Sequence, residues 1–284
     1  MKLSRAALCV SALLCLAAAV EARGRTLLGV QLGEEVSGWL DEVEGKLGRP
    51  VYAEFAELDE AGADGDYALG ASYITGAGVG VVRVDESFRG RGERQTRAVI
   101  GHELLHLRLR ARGYPLFLFS PSVKTERGPA LEVEQSNVND LVSLIEHRIF
   151  AGEMRRAGFD KLIDLTNGLE AARRRAGTAD GQAEMINFAR ASLEWDDAAL
   201  VEEFSKVYRA NGWERSLRGG REMADLIRAS RVTTPGGVAP VFLRCMVVLY
   251  GAEFRVGPDA RFGPARIYPQ MIINVRGRRR PRQS

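Results

Sequence analysis

The sequence predicts an α+β fold in which helices dominate: a small antiparallel sheet, then a helix carrying His102-Glu103-Leu104-Leu105-His106, then a helical C-terminal half. Three observations lead there. Three short runs rich in β-branched and aromatic residues follow one another between residues 51 and 87, separated by Gly or Asp turns. Two long stretches, 93–112 and 137–157, keep a helical pattern until a glycine stops them. From 160 to 230 the pattern is again mostly helical, broken at Gly177, Gly181, Gly212 and Gly219-Gly220.

Composition sets the bounds. The chain has 284 residues, 45% of them apolar, enough for a core without disulfides. A net charge of only +3 gives no field that argues for a nucleic-acid partner. The first residues read as an export signal. Lys2 and Arg5 precede an almost wholly apolar run from Ala6 to Val20, and Val20-Glu21-Ala22 places small residues for cleavage after Ala22. That run is too short for a bilayer span, which needs about 20 apolar residues. The expected domains are therefore a signal peptide over 1–22, one main domain with a helical C-terminal extension over 23–275, and a basic disordered tail over 276–284. The mature protein is expected to be secreted or periplasmic, with no transmembrane segment. Cys245 is then the one cysteine left, and its apolar setting, "VFLRCMVVLY", marks it as a buried small hydrophobe.

The elements follow in order. Val36, Leu40, Val43 and Leu47 have helical spacing, ended by Gly48. The β-like runs are 51–58, 67–74 and 79–87. The glycines of "GAGVGVV" precede a strand rather than a helix, so they predict a hairpin turn and not a nucleotide loop. "ERQTRAVIGHELLHLRLRARG" is a helix from about Glu93 to Arg112, ended by Gly113 and Pro115. A loop follows through "FSPSVKTERGPALEVEQS", then a helix from near Asn137 to Gly158. "TTPGGVAP" is a loop before the apolar segment 241–250.

His102 and His106 lie four apart on a helix, hence one turn apart on the same face, and both imidazoles can point at one ion. Glu103 is rotated by about 100° and need not ligate. It can instead reach a metal-activated water as general base. Apolar residues flank the motif on nearly all sides, so its histidines and glutamate need partners, which a metal would supply. The alternative is a pair of core histidines bonded to backbone carbonyls beside a salt-bridged glutamate.

A catalytic zinc takes three protein ligands and keeps a fourth position open. Leu109 and Arg112 stand where a glycine and a third histidine would extend the motif, which excludes that variant. Glu126, Glu132 and Glu134 lie in the loop before the second long helix. Glu146 and His147 lie on that helix, which can face the first. His147 is the only histidine outside the motif and is preferred as third ligand. Glu146 is the alternative, and whichever does not ligate could orient a ligand by a hydrogen bond.

These residues resemble the zincin superfamily of metallopeptidases, in its compact, gluzincin-like form: a strand, an HExxH helix, then a ligand-bearing helix, over residues 78–158. The resemblance implies Zn²⁺ held by His102 and His106, Glu103 as the base, and a peptide or protein substrate pairing with an edge strand, here "VGVVRVDES". The downstream glutamate motif of the thermolysin kind is missing. Tyr114, Arg148 and Tyr208 are possible oxyanion donors. The second reading is a zinc-stabilised binding protein without turnover.

Overall fold

The computed structural model describes residues 24–58, 60–61, 66–67, 69–119, 133–159, 166–177, 180–195, 197–258 and 270–278. The expected signal peptide lies outside the described residues, as do Glu126 and Glu132. The architecture is helix-dominated α+β with small sheets, as the sequence predicts.

A two-stranded pair, β1 (Thr26–Leu27) and β2 (Val30–Gln31), leads into helix α1 (Gly33–Leu47). Val36, Trp39, Leu40 and Val43 of α1 are buried, and Gly48 closes it in the left-handed conformation with its N–H on the Glu44 carbonyl. Strands β3 (Tyr52–Ala56), β6 (Gly70–Ile74) and β7 (Gly80–Asp85) form a sheet in the order β3-β7-β6, with a short pair β4 (Glu60–Ala61) and β5 (Asp66–Tyr67) between β3 and β6 in the chain. The glycines of residues 76–80 make the β6–β7 hairpin, with Gly78 at φ 79° donating to the Thr75 carbonyl.

Two expectations change here. The sheet is mixed, because β3 runs parallel to β7 while β6 is antiparallel to it. The segment expected at the edge, residues 79–87, is central instead. Val81, Val82 and Val84 are buried on both faces of β7, the pattern of an inner strand, and β3 and β6 are the edges.

Helix α2 (Glu93–Ala111) carries the motif and lies across β6 and β7 and against α1. Its buried residues lie all round it, as in the interior of a core. Gly101 makes this possible: a Cβ there would lie 2.8 Å from Phe159 and 3.2 Å from Trp39. Helix α3 (Gln135–Arg156) contacts α2. Beyond it come α4 (Thr166–Arg174), α5 (Gln182–Glu194), α6 (Ala198–Ala210), α7 (Glu214–Ala229) and α8 (Val238–Tyr250).

A second sheet was not anticipated. Strand β8 (Leu116–Phe119) pairs in parallel with β10 (Gln270–Arg278), which pairs antiparallel with β9 (Ala252–Pro258). Phe117 stacks on Phe242 of α8 at 4.1 Å. A four-residue apolar run such as Leu116–Phe119 carries no period that separates strand from helix, and its partner is distant in sequence. Strand β10 also takes in residues 276–278, the start of the segment assigned to a tail.

One core joins α1, α2, α3 and α8 with both three-stranded sheets. A smaller one, built on Phe188, Phe204, Tyr208 and Trp213, joins α5, α6 and α7. Cys245 is fully buried and burial pushes its thiol up to about 12, as expected of a small hydrophobe. Helices α5 and α7 approach closely at Gly220, where a Cβ would sit 2.8 Å from the Met185 carbonyl oxygen and 2.8 Å from the Phe188 Cβ. Gly220→Ala should therefore cost about 1–3 kcal/mol in denaturant melts. Gly38→Ala, in α1 with open space at its Cβ, should instead add about 0.5–1 kcal/mol.

Candidate metal centre

The i, i+4 spacing on α2 places the His102 and His106 rings 4.7 Å apart. His147 comes from α3, with ring centroids 4.8 Å from His102 and 5.2 Å from His106. The Phe150 ring lies within 5.0–5.7 Å of all three. One ring nitrogen from each histidine falls within 4.8 Å of the others, a group that could hold a metal ion. The three side chains keep 14–20% of their surface exposed, so the cluster is reachable from solvent.

Each ring also meets a carboxylate through Nδ1. His102 Nδ1 is 3.0 Å from Glu103 Oε1, His106 Nδ1 is 2.7 Å from Glu146 Oε2, and His147 Nδ1 is 2.7 Å from Glu194 Oε1. Glu146 is 2% exposed and also meets the Arg110 guanidinium at 2.5 Å. Burial acts to raise all three carboxyls. It is outweighed at Glu103 by His102 and His106, at Glu146 by the Arg110 charge and His106, and at Glu194 by His147. All three therefore lie below the usual glutamate range and are ionised. Burial pushes His147 down to about 4, so its ring is neutral at neutral pH.

These facts assign the tautomers. An ionised carboxylate only accepts, so each Nδ1 carries the proton, and a ring in its neutral form then presents a lone pair at Nε2. The Nε2 atoms of His102 and His147 lie 2.9 Å apart. Two lone pairs at that distance need a cation or proton between them. One nitrogen of each ring converges on the others while Nδ1 meets a carboxylate, the arrangement of a supported three-histidine donor set, so the residues fit a metal.

Glu103 is 6% exposed and turned toward β6, where the Ser72 hydroxyl bonds to it. A Cβ at Gly70 would lie 2.8 Å from Glu103 Cγ and 2.9 Å from its Oε1, so only glycine lets the edge strand lie this close.

The structure thus brings together His102, Glu103, His106 and His147, and places Glu146 behind His106 rather than among the converging nitrogens. Glu134 is exposed at the start of α3, where it accepts from Asn137. Of the proposed oxyanion donors, Arg148 is exposed, Tyr114 is buried in the main core, and Tyr208 donates to Glu184 in the smaller core. Sequence reasoning missed Glu194, Arg110, Gly70 and Ser72. Arg110 lies one turn past His106 on the same face and was the one of these open to detection. No protein family, curated protein or solved structure matches the chain.

His147→Ala should abolish tight metal binding, whereas Glu146→Ala should weaken it by about 10–100-fold. Titration against a competing chelator separates the two, and the reverse order would make Glu146 the ligand. Glu146→Ala should also cost about 3–5 kcal/mol in a denaturant melt, because it leaves the Arg110 guanidinium buried without its partner.

Proposed function

We propose that the chain is an exported zinc-dependent peptidase. The observation that carries this reading is the position of Glu103: a buried, ionised carboxylate beside three converging imidazoles and against an edge strand. His102, His106 and His147 would hold the ion through Nε2, and three neutral imidazoles suit zinc. Bound zinc lowers the pKa of a coordinated water towards about 7 and polarises a carbonyl oxygen.

The remaining chemistry belongs to side chains and backbone. Glu103 accepts a proton on its carboxylate and returns it to the leaving amine. Gly70 and Ser72 set where that carboxylate sits. The outer edge of β6, rather than β7, would bind an extended peptide by backbone pairing, as β6 has no partner on that side among the described residues. Export is supported by the basic and apolar pattern of residues 1–22. Among the described residues, no helix is long and apolar enough to cross a membrane.

A second reading is favoured by one contact. Glu103 is itself bonded to His102, as Glu146 is to His106, so all three carboxylates can be seen as supports of a purely structural metal in a binding protein. Glu103→Gln separates the two. On the peptidase reading this variant keeps its fold and its metal and loses hydrolysis of a denatured protein substrate. Wild-type protein with no proteolysis, and a partner bound equally by both forms, would favour the binding protein. Metal analysis of the mature chain should find about one zinc per molecule, lost in His102→Ala. Absence of stoichiometric metal in the wild type would overturn both readings.

A further inference from the structure

We propose that Glu194 is a positioning residue of the metal centre: it fixes the His147 ring as the Nδ1–H tautomer and so aims the Nε2 lone pair at His102 and His106. The inference rests on the metal reading of the three histidines. Glu194 is the last residue of α5, in the helical C-terminal half, where the sequence singles out only Tyr208 for chemistry. Its Oε1 lies 2.7 Å from His147 Nδ1.

The other polar neighbours agree. On the far side of the ring, Ser143 Oγ lies 3.1 Å from Nε2, and a hydroxyl can donate to a lone pair there. The His102 Nε2 also faces that atom. If Glu194 were absent, Ser143 could accept instead of donate. The ring could then carry its proton on Nε2, where no lone pair would face the cluster. A carboxylate on the opposite nitrogen removes that choice.

The packing holds Glu194 in register. Helix α5 lies against α3, and Arg190, one turn before Glu194, reaches Asp140 of α3 at 3.7 Å. The helical C-terminal half is therefore not an appendage to the centre. Through α5 it supplies the support for the one ligand that lies outside the HExxH motif.

The side chain of Glu194 keeps 19% of its surface exposed at a helix end, so truncation leaves no core void. Two measurements test the proposal. In metal-free protein, ¹⁵N NMR of the histidine rings reports the tautomer directly. Wild type and Glu194→Gln, whose amide oxygen can still accept, should show His147 protonated at Nδ1. Glu194→Ala, and Glu194→Asp with its charge kept but its reach shortened, should lose that signature. Chelator competition should then find zinc bound about 10–100-fold more weakly by the Ala and Asp variants, and within about tenfold of wild type by the Gln variant. Unchanged tautomer and affinity in the Ala and Asp variants would overturn the proposal. So would a loss as complete as that of His147→Ala, which would make Glu194 a ligand. If wild-type protein binds no zinc, the metal reading fails, and the tautomer result still judges Glu194 by itself.

Discussion

Burying a carboxylate is costly unless a partner of opposite charge or a good donor meets it, and this constraint organises the centre of the molecule. Glu146 on α3 is pinned between His106 and Arg110, both on α2. Glu194 on α5 is pinned to His147 on α3. Each pairing thus crosses a helix–helix boundary, and together they link α2, α3 and α5 around one point. Such pairs add little net stability, because the Coulombic gain mainly offsets the desolvation of the charges. What they contribute is orientation: each imidazole is left with one tautomer and one direction for its second nitrogen.

The apolar frame around the pairs keeps that orientation. Helix α2 could not be buried all round without Gly101, which admits Phe159 and Trp39 to the helix surface. Beyond the motif, Arg108 is held between Glu42 of α1 and Glu153 of α3, and Arg112 also reaches Glu42 at 2.6 Å. Arg108 falls in the last turn of α2 and Arg112 caps it, and there they also complement the helix dipole. The same helix is therefore clamped by apolar contacts along its length and by ion pairs at its C-terminal end, with the histidines between.

Local pattern made the first part of this legible. The four-residue spacing of His102 and His106 needs only helix geometry to become a shared face, and the scarcity of histidine singled out His147. The β-branched runs of β6 and β7 likewise declared their hairpin. What the sequence did not carry was pairing over long separations. The parallel partnership of β3 and β7 made β7 an inner strand and left β3 and β6 as the edges, and the β8–β10 pairing created a sheet from a run of four residues. Glu194 was invisible for the same reason. Nothing within α5 marks one glutamate among its neighbours until α5 packs on α3 and brings it to His147.

The three carboxylate–imidazole pairs are not equivalent, and the difference bears on which of them could move a proton. Glu146 and Glu194 reach their histidines across helix boundaries, and Glu146 is held from its other side by a guanidinium. Glu103 is paired with the residue beside it. Adjacent positions on a helix diverge by about 100°, so their side chains do not naturally face each other. At 3.0 Å this is also the longest of the three contacts. That carboxylate is also the one that faces the edge strand, next to Ser72 and opposite a glycine that leaves room for no side chain. On the peptidase reading, it is the placement of Glu103, dry and next to a sheet edge among the described residues, that separates its role from those of Glu146 and Glu194.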